Sequence, residues 1–163
     1  MNPGELIADT LAADLPGLNG TLADFSDADL LARPVPAANH PAWQLGHMIV
    51  SETNAGNLVR PGSMPELPAG FAERFSKDRA RSDNAADFPK KADLLAQFEK
   101  TRRATVAWVR KLSPQELDAP SPEKLRGWAP TVGRLALALS GHVAMHIGQF
   151  QVARRKLGKP VLF

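Results

Sequence analysis

Only four of the 163 residues are histidine, and two of these stand four positions apart in GHVAMHIGQF, at His142 and His146. On a helix, residues i and i+4 share a face with their Cβ atoms about 5–6 Å apart, so both imidazoles can reach one divalent ion. A third, His47, lies in NHPAWQLGHMIVSETNAGNLV, and if its helix packs on that of the pair it completes a three-histidine site. Packing alone would favour leucine at such positions. Three buried neutral imidazoles bring three donors and three acceptors, each costing about 1–3 kcal/mol when left unpaired, whereas an ion takes one nitrogen from each. The pair lacks the glutamate of HExxH, so zinc-protease chemistry is not implied. Three neutral ligands leave a coordination position open, as in catalytic rather than closed structural metal sites. An ion held this way lowers the pKa of water to about 7 or keeps an external thiol as thiolate. Zn, Ni, Cu and Fe all suit imidazole. The chain has no cysteine, so a thiol would have to be a low-molecular-weight cofactor.

Four segments with helical periodicity must position these residues. The first spans residues 3 to 24, with Leu6, Ile7, Leu11, Leu15, Leu18 and Leu22 at spacings of three and four and a kink expected at Pro16 and Gly17. After a short Ser26-capped turn, the second runs from the Asn39 or His40 cap to about residue 59, with Pro41 in its first turn. Its residues Trp43, His47, Val50, Asn54 and Leu58 form one stripe, expected to face the core, and place Glu52 on the opposite side, toward solvent or another subunit. His40 reads as a cap or surface residue. A section rich in Pro, Gly, Ser and charge (61 to 89) follows, with a short helix expected at GFAERFSKDRA; long loops of this kind are often functional or mobile. The third helix runs from Pro89 to about Leu112 on a Leu94, Phe98, Thr101, Thr105, Trp108, Leu112 stripe, and Ser113 with Glu116 forms a capping box. The fourth opens at Thr131 and ends near Leu157, where Gly158 and Pro160 stop it, with Leu135, Leu139, His142, His146, Gln149 and Ala153 on one face. The expected fold is all-α, an up-and-down four-helix bundle with short extra helices in the connections, forming a single domain over residues 1–163.

The apolar fraction of 44% and charged fraction of 23% are those of a globular chain. MNPGELIADT has no basic start or apolar run of a secretory signal, and no window is apolar enough to span a bilayer, so a cytoplasmic protein without membrane association is expected. Residues 131 to 163 carry Arg134, Arg154, Arg155, Lys156 and Lys159 and no acid. Cations late in a helix complement its macrodipole, and no aromatic residues interleave with them, so nucleic acid is not an expected partner.

NHPAWQLGH, GHVAMHIGQF and the terminal RRKLGKP together resemble the DinB-like family, the DinB/YfiT-like metalloenzymes, along essentially the whole chain. The resemblance implies a four-helix bundle, metal binding by His47, His142 and His146, and a homodimer. It also implies an activity like that of the members whose reactions are known, which include thiol-dependent S-transferases and a mycothiol-dependent isomerase. The expectation is a divalent transition metal (Zn, Ni or Fe), with a low-molecular-weight thiol as a further cofactor, serving a transferase or hydrolase that acts on a small-molecule substrate. Asn54 and Gln149 are candidates to orient ligands or water, and Trp128 to line the mouth, while Trp43 reads as packing. No catalytic acid or base is identified. The alternatives are a non-catalytic metal-binding or stress-response protein with a structural ion, and an interaction module without metal.

Overall fold

The computed structural model describes residues 2–162. Its helices are α1 (Pro3–Leu22), α2 (Pro41–Val59), the short α3 (Phe71–Arg74), α4 (Lys91–Val109), the short α5 (Pro114–Asp118) and α6 (Val132–Lys156), with single 3-10 turns in the connections. None is long and apolar enough to cross a membrane. The helix ends follow from local chemistry. Asn2 accepts from the N–H of Gly4, with Pro3 in the first turn; Thr131 accepts from that of Arg134; and Ser113 and Glu116 form the expected reciprocal box. The side chain of Lys90, at the cap position before α4, makes no capping bond; instead Asp27, remote in sequence, accepts from the N–H of Lys91 at 2.7 Å. α6 stops at Gly158, whose φ of 69° only glycine adopts readily. There Lys159 N–H donates to Arg154 O and Gly158 N–H to Arg155 O, the paired bonds of a Schellman ending.

α1 packs on α4 and α6, and α2 packs on the same two helices, so α1 and α2 lie across a diagonal and their connection crosses the end of the bundle. The α2–α6 pair is the most open of these four contacts. Two apolar clusters fill the interior. One holds Leu18, Leu22, Trp43, Met48, Phe75, Phe98 and Phe150, the other Leu11, Trp108, Val109, Leu112, Leu117 and Leu139.

A charged centre involving all four long helices is also buried. The Arg102 guanidinium on α4 is fully buried and donates to Asp14 of α1 at 2.7 Å, to Glu52 of α2 at 2.8 Å and to the Leu139 carbonyl of α6 at 3.4 Å. Ser140 of α6 donates to the other Asp14 oxygen at 3.1 Å. Burial pushes both carboxyls above their usual range, with Arg102 opposing the shift. This corrects the expectation for Glu52: it faces neither solvent nor a subunit contact and is 2% exposed.

The α2 stripe is corrected with it. Leu45, Met48, Ile49 and Glu52 make the face turned into the bundle, while His47 and Val50 are half-buried and Asn54 and Leu58 exposed. The outer side of α2 is covered as well, because the section after it is packed rather than mobile. Phe71, Phe75 and Phe88 are buried there, and Arg33 ties it down by donating to the carbonyls of Ala38, Ala80 and Ser82. Gly46 allows this cover to approach, since a Cβ on it would overlap the Phe75 ring. In the basic C-terminal stretch, Arg154 is buried, donating to Asp24 and to the carbonyls of Thr21 and Pro160, so it locks α6 to α1 rather than only balancing the macrodipole.

Candidate metal centre

His47 projects from α2 and His142 and His146 from successive turns of α6, into the opening between those helices. Each of the three offers a ring nitrogen, and these nitrogens all lie within 4.8 Å of one another. The Nε2 atoms of His142 and His146 are 3.1 Å apart. Nitrogens bound 2.0–2.1 Å from a common tetrahedral ion stand roughly 3.3 Å apart, so the α6 pair already has nearly the required bite. His47, half-buried, supplies the third nitrogen within that 4.8 Å limit. Its ring stacks on Trp43, with 5.0 Å between centroids and 6° between planes, and the Trp128 and His142 rings stand nearly perpendicular with centroids 6.1 Å apart.

A hydrogen-bonded chain sets the tautomer of the deepest ligand. The Gln44 amide nitrogen donates to the carbonyl of Asn39 at 2.7 Å, which can only accept, so its Oε1 must face His146 Nδ1, 2.7 Å away. His146 therefore carries its proton on Nδ1 and presents the Nε2 lone pair to the cluster. Gln44 was not singled out from sequence. Its signal was a polar side chain three residues before His47, suited to the acceptor role that metal-binding histidines usually require for their second N–H. We expect Gln44→Leu to reduce metal affinity about 10–100-fold in a chelator competition, and an unchanged affinity would remove the proposed role. His40, by contrast, is a cap as expected, accepting from Trp43 N–H at 3.1 Å, but it is fully buried, and its Nε2 donates to Ser82 O. It takes no part in the cluster.

Burial holds His146 down to about 3, assisted by His142 and His47, and His142 down to about 4, assisted by His47 and Arg102. His47 is lowered by burial and by the nearby Lys77. All three are thus neutral, ligand-competent imidazoles at physiological pH. Without metal, each stays neutral in the folded state while its unfolded counterpart takes up a proton. Their stabilising contribution is therefore complete above pH 6.5 and is lost as the pH falls toward about 4 for His142 and about 3 for His146. Asp14 and Glu52, shifted upward, act in the opposite sense. In metal-free protein, the loss of urea midpoint between pH 7.5 and 5 should therefore be larger for wild type than for a His47→Gln, His142→Gln, His146→Gln variant. Equal losses would contradict this account.

Two clefts meet at the cluster. One, of about 680 Å³, is lined by His47, Asn54, Leu58, Leu125, Trp128, His142 and Met145, among others. The other, of about 590 Å³, is lined by Asn39, Trp43, Gln44, His47, His142, His146 and Gln149, among others. Asn54 and Gln149 thus border opposite clefts, Trp128 stands at the mouth of the first, and Trp43 is a buried packing residue. Among the described residues, no aspartate or glutamate lines either cleft.

The sequence profile of the DinB superfamily matches residues 11–150, which include all three clustered histidines. The chain belongs to the DinB superfamily. No curated protein matches it. Membership agrees with the all-α bundle, and a three-histidine cluster able to hold a metal is present in this DinB superfamily protein.

Proposed function

We propose that His47, His142 and His146 bind one divalent transition ion, Zn, Ni or Fe, and that the protein is a metal-dependent transferase or hydrolase acting on a small molecule. The observation that carries this reading is the convergence of three neutral imidazoles where two open clefts meet. The donor set fits such an ion: the two Nε2 atoms on α6 face each other at close to tetrahedral spacing, and Gln44 keeps the His146 lone pair inward. The ion would supply a nucleophile near neutral pH, from water or an external low-molecular-weight thiol. The chain's own residues supply the remainder: Gln44 orients His146, Trp43 holds the His47 ring flat, and the apolar walls restrict water. In the thiol reading a carbon–sulfur bond forms, the bond to the leaving group breaks with its electron pair, and the thiol proton passes to solvent. The test is an assay of protein loaded with Zn, Ni, Fe or Mn against panels of thiols, electrophiles and esters. Metal-dependent turnover is expected, and a flat response for every combination would refute it.

The absence of carboxylates along both clefts favours one other reading, a non-catalytic protein in which the ion is structural. Chelation would then lower the melting temperature with no turnover under any loading. A homodimer is also proposed, supported by the exposed apolar side chains along α6, Leu137 together with Met145 and Val152 at the cleft rims. Sedimentation equilibrium checks it.

A further inference from the structure

The geometry points to a substrate whose bulk is an uncharged alkyl or aryl group lodged in the 680 Å³ cleft, with its reacting end at the histidine cluster. This rests on the reading of the cluster as a reaction centre. Small-molecule sites typically measure about 300–1,000 Å³ and combine apolar walls with a few polar groups, and this cleft has that build. Its walls include Leu58, Leu125, Trp128 and Met145, and its polar side chains besides the histidines are Ser51 and Asn54. Among the described residues no Asp, Glu, Lys or Arg lines it, so a charged body would lose hydration without gaining a partner there.

Exposure makes the same point. Leu58, Trp128 and Met145 are 44%, 49% and 50% exposed on one rim. One exposed leucine would mean little, but three large apolar side chains gathered around a concavity mark a binding surface. The second cleft adds the side-chain amides of Asn39 and Gln149 to walls that include Val35, Trp43, Met145 and Val152. His47, His142 and Met145 border both. A molecule lodged in the first cleft thus has its end at the histidines, where the second cleft begins.

The test is calorimetric titration of 1-naphthalenemethanol, benzyl alcohol and glycerol into the full-length protein, metal-free and zinc-loaded. Saturable one-to-one binding is expected for the naphthyl alcohol, weaker binding for benzyl alcohol, and none for glycerol. Leu58→Glu and Trp128→Ala should each weaken naphthyl binding at least about tenfold. Both positions are half exposed, so the variants should fold, which circular dichroism verifies. Wild type stripped of metal should still bind the naphthyl alcohol in saturable one-to-one fashion, because the apolar walls and not the ion hold its bulk, whereas the metal reading is judged by zinc uptake in the same protein. This separates failure of the cleft assignment from failure of the metal reading. Equal affinity in wild type and both cleft variants, or glycerol binding like the naphthyl alcohol, would overturn the proposal. So would a dimer that binds no naphthyl alcohol and is dissolved by Leu58→Glu, since the cleft would then be covered by a second copy of the chain.

Discussion

Replacing His146 by alanine is expected to abolish stoichiometric metal binding, with a loss of affinity beyond the about 10–100-fold that removal of an outer hydrogen-bond partner costs. His146 is the most buried of the three histidines and the one whose tautomer the protein fixes. Its loss would leave His142 alone on α6, one turn away, with His47 opposite, and two ligands seldom retain an ion. Elemental analysis of protein purified without an affinity tag, before and after dialysis against a weak chelator, decides the matter. One equivalent in wild type and none in the variant is the expected pattern, and a full equivalent in the variant would refute the proposed ligand set. Metal should also stabilise wild type selectively, by about 2.7 kcal/mol at a free concentration of 100 Kd. Thermal unfolding of the variant should therefore not respond to added ion.

The largest effect on stability is expected at Arg102. Removing one partner from a buried ion pair costs about 3–5 kcal/mol, because the remaining charge is left in the interior. Arg102→Met would strand Glu52, which is almost fully buried, and Asp14 beside it. Such a loss is a large share of the about 5–15 kcal/mol that a domain commonly has. Urea unfolding measures it. The further variant Arg102→Met, Glu52→Leu, Asp14→Asn should recover much of the loss, since apolar replacement of a whole buried network is often nearly neutral. A loss below about 1 kcal/mol for the single variant would show that the carboxyls find other partners, in the range of an ordinary surface pair.

The His142–His146 pair was legible in the sequence because a spacing of four on one helix face defines a metal bite without any tertiary knowledge, whereas His47 joined it through the expected packing of a second helix and the family resemblance. Thr131, Gly158 and the Ser113–Glu116 box were legible for the same reason, being local contacts. Glu52 was not. A stripe centred on His47 puts Glu52 on the far side of α2, but the face turned into the bundle is that of Leu45, Met48, Ile49 and Glu52, which brings Glu52 against Arg102 of α4. The stripe taken as core instead borders the opening, which is why His47 is accessible rather than enclosed. Arg102 sits among the core residues of α4, where a long cation normally signals solvent; only its partners on α1 and α2, 88 and 50 positions away, explain its place. Gln44 likewise gains meaning from a histidine 102 positions away.

The loose apposition of α2 and α6 gives the proposed ion a mechanical role as well as a chemical one. Two of its ligands belong to one helix and the third to the other, so the ion would act as a clasp across the seam where the bundle is least zipped together. Substrate entry and metal retention then draw on the same hinge of freedom: whatever parts the seam to admit a larger molecule also strains the His47 bond, tying the breadth of molecules admitted to the grip on the ion.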